Sequence, residues 1–580
     1  MTHTIPTSAS TDVCTFKIFS EGREISQTCH VLSITISTEV NRVPTATLIL
    51  VDGEAAKETF AISDTVDWIP GKQIEIKVGY RSQNDTVFKG IVIKHSIKIR
   101  KGSSLLVIEC KDPVFKMTLA EQSHYYHNLK DSEIMERVIG RHNLSKEVEA
   151  TPFIHPQLVQ YRCTDWDFLL NRADLNGKLC FVENGKITVE KPNLSQETII
   201  TLQYSAILEL DAEIDTRLQY TALKAQAWNP ADQAYTETQA QEPTLPSNSN
   251  LSASDLAKVG NQERVIVQHS GKLTEPELRN WANAKLLKDR LAKVRGRVKC
   301  QGVATLKPGK LIQLNGVGDR FKGKVFISAV RHQIANGNWE SDVQFGMNPD
   351  WFTQTAMASP IQLPYASITG LHVGMVTQLE NDPAGEQRIQ VRMPLINNGD
   401  KKENAGIWAR VATLDAGSNR GSFFLPELQD EVVVGFFNND PNQAIILGML
   451  HSSANPAPLT AQDTNHEKGY VSRAQMKMIF NDDKKTFTIE TPAGNSLLLS
   501  EADQAIAIAD QHGNKITMNE EGIQLESIKN ILLKANQEVK LEGLQVNAEA
   551  RVKFKAKAGD GELSAGSGPT VVKGGTVMIN

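Results

Sequence analysis

Three short stretches carry residue types that do chemistry in other proteins. The first, TDWDFLLNRADLNGKLCFVENGKI, runs from Thr164 to Ile187 and sets Asp165 and Asp167 on either side of Trp166. A carboxylate pair can serve as general acid and general base. The same residues also start a helix. Thr164 with Asp167 three positions on is a capping box in which Asp replaces the usual Glu. Both aspartates then lie in the first turn, where the helix dipole favours negative charge. Trp166, Leu169, Leu170 and Ala173 give the apolar stripe, and Asn176-Gly177 ends the helix because glycine tolerates the left-handed conformation. A hairpin around Asn184-Gly185 follows. Local spacing holds no histidine or third carboxylate beside the pair, so the capping reading is complete without catalysis.

The second stretch, GDRFKGKV (318–325), fits GxxxxGK, but Val325 stands where a phosphate loop needs Ser or Thr, and the β-branched VFISAV that follows is strand, not helix. It reads as a hairpin. The third, SHYYHN (123–128), spaces two histidines three apart, whereas a zinc site needs three or four ligands and no cysteine or carboxylate completes it. It reads as loop packing or an interface. His142 and His155 are isolated and read as ordinary surface or core histidines.

These stretches sit in a chain of 580 residues, enough for three or four domains at roughly 100–200 residues each. A formal net charge of -5 gives no global attraction to nucleic acid or anionic membrane. No apolar run approaches the ~20 residues of a membrane span. The opening MTHTIPTSASTDVCTFKIFS lacks the basic and apolar regions of a signal peptide. Six cysteines without a CxxC pair read as reduced thiols.

The supporting elements are mostly strands. TATLILVDG (45–53) and GKQIEIKVGY (71–80) alternate apolar and polar residues, and 87–112 reads as two strands joined by a basic turn. DSEIMERVIGRHNL (131–144) reads as a helix. So does the stretch after Thr274, with Glu277 as box partner and Gly296 as stop. Residues 228–262, rich in Ser, Gln, Pro and Asn, read as a linker or long loop. Residues 368–452 read as a compact β segment of OB-barrel type, whose loops NDPAGE, LPELQDE and NNDP are too acidic for a nucleic-acid groove. No nucleic-acid partner, metal or cofactor is expected.

The tail is the most patterned part. Ile523, Ile531 and Val539 are eight apart, and Leu525, Leu533 and Leu541 repeat that spacing two positions later. After a five-residue slip, Leu544/Val552 and Val546/Phe554 are again eight apart; upstream, Ile508 to Ile516 is also eight, while Ile516 to Ile523 is seven. Short strands at a fixed short period predict a β-solenoid or intertwined β-prism. One such chain leaves open edges and a thin apolar stripe, which threefold intertwining buries. Lys553, Lys555 and Lys557 face opposite Val552, Phe554 and Ala556, and TVVKGGTVMIN reads as an apolar final strand that needs a cap.

The opening stretch resembles the D-W-x-F-L … R-x-A-x-x-x-G signature of VgrG-type spike proteins of contractile injection systems. LNGVGDRFKGKVFISAVRHQI (314–334) looks like the end of that family's hub, and residues 410–458 resemble its OB domain with the F-x-P-E-x-x-D-E-V-x-V-x-F core. Leu428-Gln429 sits where a glycine is frequent, and Asn439 replaces the usual glycine before Asp440-Pro441. The resemblance implies a mainly β protein with an α+β hub. Residues 1–365 would be a tube-adapter hub with two barrel-like parts and helical insertions, 366–455 an OB-fold neck and 456–580 a trimeric β-prism (triple-stranded β-helix) needle. The expected trimer core is Ile516, Ile523, Leu525, Ile531, Leu533, Val539, Leu541, Leu544, Val546, Val552 and Phe554. Thr164, Asp165, Trp166, Asp167, Phe168 and Gly177 form the helix signature, and Val577, Met578, Ile579 and Asn580 the seat of a tip partner.

The implied role is mechanical, without catalytic residues. A homotrimer would adapt the hexameric inner tube to a membrane-puncturing needle. It would contact baseplate components, carry a PAAR-type tip protein and effector cargo, and meet a target membrane transiently. It would assemble in the cytoplasm and be expelled with the particle. Two alternatives share the fold: a phage-tail baseplate hub, and a spike with peptidoglycan hydrolase activity. The latter lacks the inserted domain it needs, since about fifteen residues join the OB segment to the tail. The iron-holding HxH motif of some spike tips is also missing, because the last histidine is His512.

Overall fold

The computed structural model describes residues 13–579 apart from 27, 55, 102, 230–231, 270–271, 353–366 and 397–405. It divides into two units, Met1–Asn455 and Pro456–Asn580. The hub–neck boundary expected at 365/366 falls outside the described residues.

A 13-stranded sheet dominates the first unit. The alternation read in TATLILV gives the Thr45–Val51 strand, whose alternate residues Ala46, Leu48 and Leu50 are buried. Together with Cys14–Ser20, Val31–Glu39, Gln73–Tyr80, Gln83–Arg100 and Ser103–Lys111 it makes a first lobe around Trp68, Ile34 and Ile76. A second lobe is built from Ile207–Ile214, Val294–Gln301, Gly323–Ala335 and Asn338–Phe345, with Thr198–Gln203 and Leu311–Asn315 beside them, around Val298, Leu314 and Val343. The lobes join where Gly323–Ala335 pairs antiparallel with Val31–Glu39. Residues 318–325 are the hairpin bend leading into that strand, as their β-branched sequel requires.

Helical insertions interrupt the lobes. The first holds α1 (Asp131–Gly140), α2 (Asp165–Leu175) and the hairpin Leu179–Glu183/Lys186–Glu190. Its turn residues Asn184 and Gly185 have φ of 53° and 79°, the left-handed pair a two-residue hairpin demands. The second holds α3 (Ala253–Val259) and α4 (Glu275–Leu291), the latter packing Leu278, Trp281 and Ala282 against a three-stranded sheet.

Two readings are corrected here. Residues 228–262 are not a bare linker: they contain the Ala234–Gln239 strand and α3. Between these, Glu242 pairs with Arg290 at 2.6 Å and the Ser247 carbonyl accepts from the Lys324 amide at 2.9 Å. Polar composition reported only that this segment lacks its own core; partners elsewhere hold it. SHYYHN is likewise not a loop but part of the Glu121–Lys130 strand, paired with Ile154–Thr164. Its tyrosines point to opposite faces. Tyr126 stacks on Phe168 of α2, with ring centroids 5.6 Å apart. Tyr125 enters the core of the next barrel, where its hydroxyl accepts from the Met393 amide at 2.9 Å.

That barrel is closed by five strands: His372–Gln378, Ile389–Arg392, Ile407–Val411, Ala444–Met449 and Glu431–Phe436. It is tied to the hub by Tyr125, by Gln157 accepting from the Trp408 amide at 2.8 Å, and by the buried His269–Asp440 pair at 3.1 Å. The two departures from the resembled family explain themselves: Gln429 has φ 72° and Asn439 φ 60°. Both are left-handed positions where a side chain is strained and glycine is not. Gln429→Gly and Asn439→Gly should each stabilise the first unit by ~0.5–1 kcal/mol, Gln429 more because Asn tolerates the region better. A thermal melt of each variant reads this, and a fall in melting temperature would refute it.

The second unit is a 7-stranded antiparallel meander from Glu467–Val471 to Gly522–Glu526. Residues 527–579 contain no helix or strand. The apolar final strand expected at TVVKGGTVMIN therefore has no pairing within one chain, and its last residue, Asn580, lies outside the described residues.

Candidate assembly surface and hub network

Thr164 caps α2: its hydroxyl accepts from the Asp167 amide at 3.0 Å. Gly177 follows with φ 62°, and a Cβ there would meet Ala284 of α4 at 3.4 Å. Trp166 and Phe168 are buried in the core that joins α1 and α2. Asp165 does more than answer a helix dipole. It is 2 % exposed, and Oδ1 accepts from Arg141 and from the Gln160 amide group, both at 2.9 Å. His142 Nε2 stands 2.8 Å from Oδ2. A histidine is therefore held beside the aspartate, brought there by the fold rather than by spacing.

A second buried cluster lies close by in sequence. Asp131 takes Arg172 Nε at 2.6 Å on Oδ1, and Asn176 at 2.8 Å and His155 Nε2 at 3.0 Å on Oδ2. His155 Nδ1 lies 3.5 Å from Glu277, the residue that also closes the capping box of α4. Burial alone pushes the Asp131 carboxyl up, but the Arg172 charge and the His155 hydrogen bond outweigh it and hold it well below the usual carboxylate range. Burial lowers His155, while its bonds to Asp131 and Glu277 raise it by more. Every polar end named here is met by another, so the chemistry of these groups is mutual neutralisation. The clusters bind α1, α2 and α4 into one block.

The meander carries the other candidate surface. Its register aligns Phe480, Phe487, Leu499, Ile506, Met518 and Ile523 in one row. A second row runs Tyr470, Met478, Ile489, Leu497, Ile508, Ile516 and Leu525. Because side chains alternate across a strand, both rows share one face. The other face presents mainly small and polar residues such as Thr488, Ser496, Ser500, Ala507 and Thr517. The apolar face is open in the single chain: Phe480 is 47 % exposed, Ile508 43 % and Ile523 73 %. A contiguous face of this kind marks an interaction site.

Of the expected trimer core, Ile516, Ile523 and Leu525 lie on this face. Ile531, Leu533, Val539, Leu541, Leu544, Val546, Val552 and Phe554 follow it without intrachain strand pairing, all at least 52 % exposed. Val577, Met578 and Ile579 are 49–91 % exposed. Sequence reading missed the face from Met478 to Ile506. The signal was present: apolar doublets two apart recur at 478/480, 487/489, 497/499 and 506/508.

A large sheet with helical insertions, a closed five-stranded barrel and an antiparallel meander make the chain similar in fold to the tail-hub and spike class. Residues 10–336, more than half of the chain, match the Alg8 N-terminal domain, and the chain belongs to that family. Residues 372–451 match the type VI secretion system/phage-baseplate injector OB domain and residues 486–552 the phage baseplate V C-terminal trimerisation domain. The chain is similar to VgrG-type spike proteins. A stretch of 137 residues is 30% identical to the type VI secretion system spike protein VgrG3 of Vibrio cholerae, covering 22% of this chain and 13% of that protein. A stretch of 194 residues is 26% identical to VgrG1a of Pseudomonas aeruginosa, covering 31% of this chain and 29% of that protein. The matched part thus spans less than a third of either relative. Among solved structures, the lidded Francisella PdpA–VgrG complex has a TM-score of 0.53 at 10% identity, covering 89% of this chain and 80% of that one. Its lidless form gives 0.52 at 9%, covering 89% and 98%. These share the fold. Among the described residues no helix is long and apolar enough to cross a membrane, and no group of three His, Cys, Asp or Glu side chains is placed to hold a metal ion.

Proposed function

We propose that the protein is a homotrimeric spike whose three meanders close on one another through the Phe480–Ile523 and Tyr470–Leu525 rows. The observation that carries this reading is the segregation of that sheet: one face apolar across every strand after the first, the other mainly polar. Burying such side chains stabilises by ~1.5–3 kcal/mol each, and a single chain cannot bury them. The match of residues 486–552 to a trimerisation domain supports the same stoichiometry. Beyond Glu526, the doublets from Ile531/Leu533 to Val552/Phe554 continue the core between chains, so strands that find no partner in one copy find it in the next.

In this reading residues 1–365 are the hub, 366–455 the OB neck and 456–580 the needle. Two sheet lobes per chain, three chains over, present six alike units to a hexameric inner tube. Val577, Met578 and Ile579, exposed in the single chain, seat a PAAR-type tip protein together with Asn580. Baseplate components and effector cargo attach to the hub and neck, and the VgrG-with-PdpA assembly of Francisella is a precedent for a spike bound to another protein. The trimer assembles in the cytoplasm and is driven out with the particle through a target membrane. The work is mechanical, and no residue is assigned to catalysis. The phage-tail baseplate is a second setting for the same parts, favoured by the match of residues 372–451 to an OB domain shared by type VI secretion and phage-baseplate injectors.

The test is the mass of the purified protein by light scattering behind size exclusion. One chain is 63.9 kDa. A mass about three times larger is expected. A stable single chain would sink the intertwined needle.

A further inference from the structure

The two lobes of the hub share one plan. Pro70-Gly71-Lys72 and Pro308-Gly309-Lys310 lead into matching strands, Gln73–Tyr80 and Leu311–Asn315. Both glycines are left-handed, with φ of 101° and 87°. The Gly71 amide donates to the Val92 carbonyl at 2.8 Å, and the Gly309 amide to the Ile327 carbonyl at 2.9 Å. Just beyond, the register slips in both lobes, between Val92 and Lys94 and between Ile327 and Ala329. Strand order is shared as well. Val31–Glu39, Thr45–Val51, Ser103–Lys111 and Gln83–Arg100 lie side by side as do Ile207–Ile214, Val294–Gln301, Asn338–Phe345 and Gly323–Ala335. The first strand of each set slips at the same place, Val31/Ser33 and Ile207/Glu209. Carried across these ladders, the register makes Leu210 the counterpart of Ile34, and Lys94 the counterpart of Ala329.

Within the chain the lobes join along one ladder. Residues 329–335 run antiparallel to 33–39, with Ala329 opposite Glu39 and Ala335 opposite Ser33. The counterparts of these two segments, 94–100 and 209–215, have no such partner among the described residues. Residues 94–100 pair only with Ser103–Lys111, and Ile207–Ile214 pairs only with Val294–Gln301. Each leaves an open strand edge, a surface ready to pair with another strand.

The two edges are complementary. The internal register, transposed, sets Lys98 opposite Asp211 and Arg100 opposite Glu209 on one face. On the other face it sets Ile97 opposite Ala212 and Ile99 opposite Leu210. Ile97 and Ile99 are 42 % and 64 % exposed in the single chain. Lys98 and Arg100 are exposed and form no ion pair among the described residues. Asp211 and Glu209 are met from the strand behind by Arg297 at 2.8 Å and Lys299 at 2.6 Å. A carboxylate accepts several hydrogen bonds, so each can also take a cation from its edge side. The last pair in this register, Lys94 with Asp215, adds less, because Glu109 and Arg217 already hold those charges.

We propose that residues 94–100 of one copy pair antiparallel with residues 209–215 of the next, repeating between copies the ladder that joins the lobes within one. This rests on the trimer proposed above: three such ladders alternate with the three internal ones and close the lobes into one ring. A ladder of this length is a small interface, formed once the meanders have brought the copies together.

Cysteine cross-linking of the full-length protein tests it. Residues directly opposite in an antiparallel pair have Cα atoms about 4.5–5.5 Å apart, within disulfide reach. Lys98→Cys with Asp211→Cys, and separately Arg100→Cys with Glu209→Cys, should each give a covalent trimer on a non-reducing gel after mild oxidation. All four positions are exposed, so the melting temperatures should hold. Ile99→Cys with Asp211→Cys puts the two thiols on opposite faces of the sheet and should behave like the unsubstituted chain. No covalent band from either test pair, in a protein of trimer mass, overturns the ladder and leaves the trimer standing. Equal cross-linking by the opposite-face pair overturns the ladder too. A single-chain mass by light scattering removes both.

Discussion

Leu499→Asp is expected to convert the proposed trimer into single chains. Leu499 sits in the middle of the meander, between Phe487 and Ile506 in its row. It is 39 % exposed in one chain, and three faces meeting as proposed would enclose it. Three carboxylates would then converge at one level of an apolar column. Each either stays ionised without a partner or takes up a proton, and both choices cost several kcal/mol. The leucine contacts, ~2–3 kcal/mol per copy, are lost as well. The intrachain ladder should survive, because its hydrogen bonds are backbone and the strand ends are unchanged. The measured mass is expected to fall to about 63.9 kDa. Thr488→Asp, on the opposite face of the neighbouring strand, should leave the mass at the trimer value. A trimer that tolerates Leu499→Asp while Thr488→Asp breaks it would invert the assignment of faces. Leu533→Asp probes the same column beyond the meander. If it left the heat and detergent resistance of the trimer unchanged, the eight-residue register of the tail would be wrong.

Arg172→Met unfolds or loosens the helical block of the hub. Arg172 is 3 % exposed and Asp131 1 %, so the substitution strands a buried carboxylate. Breaking one partner of such a pair costs ~3–5 kcal/mol. The double variant Asp131→Leu with Arg172→Met should recover part of that loss, because it leaves no unmatched charge. Urea unfolding followed by Trp166 fluorescence reads both. A loss no larger than that of an exposed ion pair would show that water reaches the site.

The same cluster sets a pH window. The Asp131 carboxyl is held low, so its contribution is present above the unfolded carboxylate value of roughly 4 and disappears as pH falls through the folded one. His155 is raised, so its contribution is complete below the unfolded imidazole value of roughly 6.5 and is lost as pH rises through the folded one. The block should therefore be most stable at mildly acidic pH and weaken on the alkaline side. His155→Gln should remove that alkaline fall, and an unaltered profile in the variant would remove His155 from the account.

What could be read from the sequence was what neighbours in the chain decide. The Thr164 and Thr274 caps, the Asn184-Gly185 turn and the alternation of Thr45–Val51 depend on residues within one turn or one strand, and they stand where the spacing placed them. The resemblance carried the mainly β fold class with its barrel further than local patterns could. The partners of Asp165 were hidden because Arg141 and His142 lie more than twenty positions away, and only the packing of α1 against α2 brings them to it. The same holds for His155, an isolated histidine in sequence that Asp131 and Glu277 flank in space. Polar residues in 228–262 signalled no core of their own, but not that Arg290 and Lys324 would hold them. The apolar doublets declared that one face is buried; which strands share it was a matter of register. Side-chain direction has period two along a strand, so the sequence by itself determined the alternation. The turns of the meander, through tertiary pairing, decided that Phe480, Phe487 and Leu499 stand in one row.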